Sequence, residues 1–252
     1  MTVNNSPALL EIVNLSHSYS RNGGAEPVLR RISLSIRAGE LVCLIGRSGC
    51  GKSTLLKIVA GFLAPTQGQC LLAGKRIVKP GPDRCVVFQE DALFPWLTVR
   101  ENIAFGLGGS SGTQRRLETE RLIDLVGLEG YGDYLPRTLS GGMKQRVALA
   151  RVLIRSPQIL LMDEPFGALD AQTREEMQEL LLRLAQKRNQ TILFVTHDVQ
   201  EAVTIADRAL VLDRDSEQIG ATVPIALPRP RNRSSHDFQD LCARLHALLR
   251  QP

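Results

Sequence analysis

Short apolar runs alternate with segments of helical periodicity along most of this 252-residue chain. Runs of this kind occupy residues 41–45, 85–88, 159–162, 192–195 and 209–212. Continuous apolar runs of four or five residues are typical of parallel strands that are buried on both faces. Because helical patterns lie between the last three runs, the order predicts βαβ units and a parallel sheet in an α/β fold.

Three other regions depart from this alternation. Residues 9–15 and 32–36 alternate between apolar and polar, which predicts half-buried strands. Residues 98–156 show helical periods without a convincing strand and contain a Gly/Ser-rich loop at 106–112. We therefore expect a helical subdomain inserted between strands of the α/β core.

The end of the chain is rich in proline and arginine. Its prolines are expected to break regular structure, although residues 237–250 predict a short amphipathic helix. That helix would carry Phe238, Leu241, Leu245 and Leu248 on one face. The tail holds none of the motifs described below, so we expect it to be dispensable for catalysis. Its arginines are expected to be solvated, with contact to anionic lipid as the alternative.

Composition excludes several classes of protein. Apolar residues make up 43% and charged residues 23%, and no apolar run approaches the roughly 18 residues of a membrane span. Residues 1–10 lack Lys and Arg, so no secretory signal is expected. Five cysteines without a CxxC pair favour a reducing cytosol over disulfides or zinc. A net charge of +5 with only 4% aromatics gives weak support for nucleic-acid binding.

The strongest motif is the octapeptide at residues 46–53, which matches GxxxxGK[ST] between a predicted strand and a predicted helix over 54–62. Its glycines allow the backbone to wrap a phosphate, and the helix start directs N–H groups at the anion. Lys52 would neutralise β- and γ-phosphates and Ser53 would bind Mg²⁺. The alternative is a turn without a ligand. The predicted nucleotide contacts are Gly46, Arg47, Ser48, Gly49, Cys50, Gly51, Lys52, Ser53 and Thr54.

Two acidic residues follow the predicted strand at 159–162, at the sheet edge where open α/β folds bind ligands. Asp163 would hold Mg²⁺ through water, and Glu164 would polarise an attacking water. The alternative is an acidic N-cap on the next helix, which Pro165 would permit.

Two more polar residues follow predicted strands. His197 comes after the strand at 192–195, at the edge predicted for Asp163 and Glu164, where its imidazole would reach the γ-phosphate. Gln89 follows the strand at 85–88, and its amide would contact Mg²⁺ or the attacking water. A structural histidine and a polar turn residue are the alternatives.

A second anion-binding helix start lies at residues 139–143. Ser140 is a plausible N-cap, and Gly141 and Gly142 expose backbone N–H groups. One nucleotide rarely needs two phosphate cradles from one chain, so this surface would complete the site of a second copy. An ordinary capped helix is the alternative.

Over residues 8–215 the chain resembles the nucleotide-binding subunits of ATP-binding cassette (ABC) transporters, with the motifs in family order. Residues 46–53 are similar to Walker A, 139–143 to the LSGGQ signature, 159–164 to Walker B and 168–170 to the D-loop. Gln89 and His197 match the Q-loop and the switch histidine. Tyr19 is placed like the aromatic that stacks on adenine, and an exposed tyrosine at a strand end is the alternative. Met143 replaces the signature glutamine, and Gly167 replaces a common serine.

The resemblance implies a P-loop NTPase with a RecA-like parallel-sheet core, an antiparallel β subdomain and an inserted α-helical subdomain. The nucleotide-binding domain would span residues 8–215, with the helical subdomain at about 98–156 and a short extension at 216–252. Catalysis would use Glu164, His197, Lys52 and Gln89. ATP and Mg²⁺ would be the cofactors, with Ser53, Gln89 and Asp163 as metal ligands.

Residues 164–170, 86–89, 93–96 and 102–107 resemble the nitrate/sulfonate/taurine import subfamily. That likeness implies a homodimer on two transmembrane permease subunits at the cytoplasmic face of the inner membrane, served indirectly by a solute-binding protein. Phe94, Pro95 and Trp96 would dock on the permease; core packing is the alternative for Trp96. Residues 72–77, 80–82 and 84 look more like the taurine and sulfonate branch than like sugar or amino-acid importers. The likeness implies taurine or another alkanesulfonate as the solute, with nitrate next.

Three rival functions are weighed against this resemblance. A soluble ABC protein acting on nucleic acid or ribosomes usually has two cassettes or a long coiled coil, and a P-loop kinase would not explain the signature together with His197. A regulatory cassette without activity should have lost Lys52 or Glu164, and both are present. No nucleic-acid partner is therefore expected.

Overall fold

The structure, a computed structural model, describes residues 7–21, 24–89, 92–107, 112–213 and 215–250. The chain divides into two compact units, one made of Met1–Gly81 with Ala185–Pro252 and the other of Pro82–Leu184. Part of the predicted loop at 106–112 lies outside the described residues. Among the described residues, no helix combines the length and the apolar character that crossing a bilayer requires.

The first unit contains an antiparallel sheet. Its strands are β1 (Ala8–Arg21), β2 (Gly24–Arg37), β4 (Gln67–Leu72) and β5 (Lys75–Arg76), in the order β2-β1-β4-β5. This confirms the antiparallel β subdomain, but β1 and β2 extend well beyond the predicted runs. Alternation is visible only where one face of the pair is buried, and the first four residues of β2, which are exposed, have no apolar pattern to reveal them.

The same unit contains parallel strands. The fully buried β3 (Leu41–Ile45) lies between β8 (Thr191–Thr196) and β9 (Arg208–Leu212), and both pair with it in parallel. Helix α1 (Lys52–Ala60) follows β3, and α6 (Val199–Ile205) connects β8 to β9. The run at 41–45 is apolar throughout because neither face of β3 is exposed to solvent.

The second unit is mainly helical. Its strands β6 (Arg84–Val87) and β7 (Ile159–Asp163) pair in parallel. Between residues 98 and 156 the described residues form helices and no strand, as predicted. The helices in that range are α2 (Val99–Ala104), α3 (Gly112–Leu125) and α4 (Gly141–Leu153). Helix α5 (Ala171–Arg188) follows β7, and its last residues belong to the first unit.

The tail is more ordered than its prolines suggested. It forms β10 (Ile219–Pro224), which pairs antiparallel with β9, and α7 (His236–Arg250), which packs against α6. The amphipathic helix is therefore confirmed, whereas β10 was not predicted. Phe238 and Leu245 of α7 are fully buried, so the tail contributes to the core of the first unit.

Candidate nucleotide-binding site

The loop at residues 46–53 is a backbone cradle that only glycine permits at two points. A Cβ on Gly46 would lie 2.5 Å from the Cys50 Sγ and 2.7 Å from the Leu212 carbonyl. Gly51, the N-cap of α1, has φ +102°, and a Cβ there would lie 2.9 Å from the Val28 carbonyl. The crest of the loop is exposed at Arg47, Ser48 and Gly49. The loop thus presents its backbone outward from a tightly packed base.

Lys52 lies against the inner side of this loop. Its Nζ donates to the carbonyls of Gly46 at 2.8 Å and Arg47 at 3.1 Å, and the residue is only 6% exposed. The first turn of α1, which the structure describes in full, contains no acidic residue. The ammonium group and the positive end of the helix therefore favour an anion at the loop.

Tyr19 lies beside the same helix start. Its hydroxyl is 3.3 Å from the Thr54 Oγ1, and its ring makes an edge-on contact with His17 at 4.8 Å. Tyr19 is 41% exposed, whereas His17 is buried. An aromatic face near the loop, held from behind by a second ring, is suited to stacking on a nucleobase.

His197 lies at the sheet edge that carries the loop. In the parallel pairing of β3 with β8, Ile45 is opposite Thr196, and Gly46 and His197 are the next residues of the two strands. His197 is exposed. The structure thus places the loop at residues 46–53 and His197 at the same end of two neighbouring strands of the first unit.

Gln89 and the acidic pair meet in the second unit. Val87 pairs with Met162 in β6 and β7, so Gln89 and Glu164 each lie two residues past this pair at the same end. A Cβ on Gly167 would be 3.6 Å from the Gln89 Nε2 and 3.5 Å from the Glu164 carbonyl. A serine would therefore fit at Gly167, so packing does not require the glycine.

Glu164 has an unusual backbone for a non-glycine residue, with φ +47°. The turn that follows is closed by the Gly167 N–H, which donates to the Glu164 carbonyl at 3.2 Å. Both Asp163 and Glu164 are half-buried at the end of β7. A left-handed residue at the end of a buried strand redirects the chain and is a form of local strain that often accompanies functional sites.

The second helix start has the predicted cap. The Ser140 Oγ accepts from the Met143 N–H at 3.3 Å, and Gly141 begins α4. Gly142 is required by packing, since a Cβ there would lie 2.4 Å from the Thr173 Cγ2. Met143 takes part in this cap through its backbone N–H, so a methionine in place of the signature glutamine leaves the cap intact.

Thr173 also links this helix start to the D-loop. Its N–H donates to the Asp170 Oδ1 at 3.0 Å and its hydroxyl to Oδ2 at 2.7 Å. These donors, the backbone one first, lower the pKa of the Asp170 carboxyl. The carboxylate therefore remains ionised at the start of α5, where a negative charge favours the helix.

Gln145 is a functional candidate that the sequence analysis missed. It is buried in α4, and its Nε2 donates to the Gln89 carbonyl at 3.1 Å. This bond joins the signature helix directly to the Q-loop residue. Only its position one turn after the two glycines could have drawn attention to it.

Asn102 organises the segment after the Q-loop. Its side chain is fully buried. The Nδ2 group donates to the carbonyls of Phe94 at 3.1 Å, Leu97 at 2.8 Å and Thr98 at 3.0 Å. The Oδ1 atom accepts from the Phe94 N–H at 2.9 Å. The loop so held presents Trp96, which is 72% exposed. Core packing of Trp96, the alternative left open by the sequence, is therefore wrong.

A glycine-lined phosphate loop between β3 and α1, on a parallel sheet edge that also carries His197, defines the P-loop class of nucleotide-binding proteins. Residues 29–167 match the ABC transporter family. The chain therefore belongs to the ABC transporter family, and its fold is that of an ABC ATPase cassette.

Three related proteins agree with this assignment. An uncharacterised ABC transporter ATP-binding protein of Methanocaldococcus jannaschii is 48% identical over 231 residues, which are 91% of this chain and 86% of that protein. The nitrate import ATP-binding protein NrtC of Synechococcus elongatus is 50% identical over 84% of this chain. The bicarbonate transport ATP-binding protein CmpC of that species is 49% identical over 88%. The chain spans 33% and 34% of these last two proteins.

Solved structures show the same architecture. The dimeric structure of MJ0796, a bacterial ABC transporter cassette, aligns with 87% of this chain and 100% of that chain at a TM-score of 0.76 and 30% identity. A dimeric post-hydrolysis state of the same cassette, bound to ADP and Pi, aligns over 87% of this chain at a TM-score of 0.75 and 31% identity. This chain is an ATP-binding ABC-type ATPase.

Proposed function

We propose that this ATPase is the nucleotide-binding subunit of an importer for a small oxyanion. The observation that carries the proposal is the Asn102-held loop that presents Trp96 next to the Q-loop, together with identity near 50% to nitrate and bicarbonate import subunits. An ATPase that drives a membrane partner needs such a docking surface beside its nucleotide-sensing residues.

The hydrolytic roles follow from charge and position. Lys52 supplies positive charge to the β- and γ-phosphates, Glu164 polarises the attacking water, and His197 contacts the γ-phosphate. Tyr19 stacks on adenine, and the backbone of residues 46–54 holds the phosphates. The buried position of Lys52 against its own loop supports the first role, because an anion at the loop meets a preorganised ammonium group.

Mg²⁺ fits the donor types that the chain offers. Ser53, Gln89 and Asp163 supply hydroxyl, amide and carboxylate oxygens, which are the ligands that Mg²⁺ prefers. When bound, the ion would neutralise charge on the phosphate oxygens. The half-buried carboxylate of Asp163, at the end of a strand, has the place of a ligand that acts through water.

The active site is proposed to be shared by two copies of the chain. The capped start of α4 at Ser140, with Gly142 buried against Thr173, is a second glycine-containing helix start, in addition to the loop at residues 46–53. A related cassette is dimeric in its solved structure. In the homodimer, Ser140, Gly141 and Gly142 of one chain would close on the γ-phosphate held by the other.

The permease would dock on the aromatic surface around Trp96. The Trp96 ring lies 5.6 Å from Phe94, which lies 4.5 Å from Phe105, and the Arg151 guanidinium lies 5.5 Å from the Phe94 ring. Trp96 and Phe105 are 72% and 59% exposed. Exposed aromatics on a loop fixed by a buried asparagine are suited to bind a helix of a partner. Two permease subunits would place the dimer peripherally on the cytoplasmic face of the membrane.

The solute is proposed to be an oxyanion delivered by a solute-binding protein. Nitrate and bicarbonate are the solutes that the names of NrtC and CmpC carry. Taurine and other alkanesulfonates remain in the proposal through the sequence resemblance of residues 72–84.

The importer is tested by uptake in a strain that lacks this chain. Growth on nitrate, taurine or an alkanesulfonate, and bicarbonate uptake, are measured with wild-type chain, with Trp96→Ala, and with Trp96→Phe as the conservative control. We expect one solute to require the chain, loss of uptake with Trp96→Ala, and basal ATPase activity retained by the purified variant. Unimpaired use of all these solutes, in a strain without a redundant importer, would refute the oxyanion assignment.

The hydrolytic site is tested separately on purified protein. Glu164→Gln should bind ATP and lose about 10²-fold or more in turnover, because the amide cannot act as a base. Lys52→Ala should lose nucleotide affinity itself. Near-wild-type turnover by Glu164→Gln would remove its role as base, whatever the result of the uptake assay.

A further inference from the structure

His197 lies on a short turn that is fixed from both sides. Before it, Thr196 ends β8; after it, Asp198 caps α6, its Oδ1 accepting from the N–H groups of Gln200 at 2.8 Å and Glu201 at 3.2 Å. The Asp198 N–H also donates to the Thr196 Oγ1 at 3.0 Å. The position of His197 is therefore tied to the position of α6.

The other end of α6 is held by the tail. Arg231 donates through Nη1 to the carbonyls of Val203 and Ala206, both at 2.7 Å. Through Nη2 and Nε it also donates to the carbonyls of Ile225 at 3.0 Å and Leu227 at 3.2 Å. These bonds join the last carbonyls of α6, which lack partners within a helix, to the segment after β10.

Arg229 reinforces the same end of the helix. It donates to the Ile205 carbonyl and forms an ion pair with Asp207 at 3.0 Å. Burial first, and then the neighbouring Arg229 charge, lower the pKa of Arg231 to about 10. Arg231 therefore remains a cation at neutral pH, and the expectation that it is a solvated surface charge is wrong.

Helix α7 completes the enclosure of α6. It packs against α6 with Phe238, Cys242 and Leu245 buried. Burial raises the pKa of the Cys242 thiol, and the Asp198 carboxylate raises it further, which is consistent with Cys242 lying near the residue that follows His197. The tail thus reaches both ends of the helix that His197 precedes.

We propose that Arg231 is a positioning residue for ATP hydrolysis, which fixes α6 and through it the turn that carries His197. The proposal rests on the proposed contact of His197 with the γ-phosphate. It also gives the tail a role in turnover, contrary to the expectation that the tail is dispensable. Four carbonyls in different directions require the planar five-donor fork of arginine, and the single ammonium of lysine cannot reach them together.

A double-mutant cycle tests the proposal in the full-length chain. Arg231→Lys keeps the charge and loses the fork, and Arg244→Ala is the control in the same tail, at an exposed position of α7. Single-turnover hydrolysis of radiolabelled ATP resolves the residual rates. We expect Arg231→Lys to lower kcat about tenfold with KM for ATP within about twofold, and Arg244→Ala to change neither. In the His197→Ala background, Arg231→Lys should cause no further loss.

The outcomes separate this proposal from the one on which it rests. An equal loss in both backgrounds, or no loss in either, overturns the positioning role of Arg231. Wild-type turnover by His197→Ala would instead remove the role of His197. If Arg231→Lys does not fold, the same cycle is run with Arg229→Ala, which removes only the contacts to Ile205 and Asp207. Additive losses in that cycle overturn the proposal as well.

Discussion

At the scale of single residues, the loop at residues 46–53 can adopt its conformation because Gly46 and Gly51 lack a Cβ. Gly51 has φ +102°, and a Cβ there would lie 2.9 Å from the Val28 carbonyl. The residues at the crest of the loop, 47–49, are exposed to solvent. Cys50, whose thiol pKa is raised by burial, packs under Gly46 and fills the base of the loop. The residues that pack against the loop therefore fix its backbone conformation.

The first prediction concerns this geometry. Gly51→Ala should cost about 1–3 kcal/mol of stability from backbone strain and should abolish ATP binding, because the loop must move to admit the methyl group. Gly74→Ala is the matched control: Gly74 also has a positive φ, +74°, but no atom lies within 4 Å of its Cβ position. Calorimetric ATP titration and urea unfolding measure both effects, and equal ATP affinity in the two variants would contradict the prediction.

At the scale of elements, hydrogen bonds from polar side chains fix the irregular segments, which have no alternating apolar residues to pack them. The Asn102 amide replaces a regular hydrogen-bond ladder for the loop before α2, which also begins with a capping box of Thr98 and Glu101. Arg231 does the same for the segment after β10. Such residues have no periodicity, so their roles became visible only in three dimensions.

The second prediction concerns the loop before α2. Asn102→Ala should destabilise the protein by about 2–4 kcal/mol, because it leaves buried carbonyls and an N–H without partners. Trp96 is the only tryptophan, so its fluorescence anisotropy should fall as the loop loosens. Asn102→Asp keeps the acceptor for the Phe94 N–H but places a buried carboxylate oxygen against three carbonyls, so it should lose at least as much stability. An unchanged anisotropy would show that Asn102 does not order the loop.

The third prediction concerns the tail. Phe238→Ala should cost about 3–5 kcal/mol in urea unfolding, since the ring is fully buried. His246→Ala, on the exposed side of the same helix, should change stability by less than about 0.5 kcal/mol. Equal stabilities of the two variants would mean that α7 adds nothing to the core, and the tail would then be a true extension.

At the scale of the whole molecule, the chain presents two glycine-containing helix starts, one at Lys52 and one at Ser140. Lys52 serves the loop at 46–53, and the Ser140 helix start lies in the other compact unit. The proposed dimer with two shared sites would use both helix starts, and the cassette of similar structure is dimeric.

The fourth prediction tests this sharing. Lys52→Ala and Ser140→Arg should each be inactive alone, whereas an equal mixture should recover about a quarter of wild-type activity, because half of the dimers are mixed and each has one intact site. Steady-state phosphate release measures the recovery. Specific activity that stays constant on dilution to clear monomer would contradict a shared site.

The sequence by itself determined the elements with strong local signals. The buried runs at 41–45, 159–162 and 192–195, the glycine pattern before Lys52, and the cap at Ser140 were all located because burial, φ preference and capping act within a few residues. The assignment of the family followed from the order of those motifs.

Only the tertiary structure decided what depends on distant partners. The exposed first four residues of β2 and the strand β10 are defined by pairing with other strands. The half-buried position of Arg231 is defined by carbonyls 28, 25, 6 and 4 residues away. The exposure of Trp96 was decided by the Asn102 side chain, which holds the loop from below. Hydrogen bonds between distant segments leave no periodic trace in a sequence, which is why these features emerged only from the folded chain.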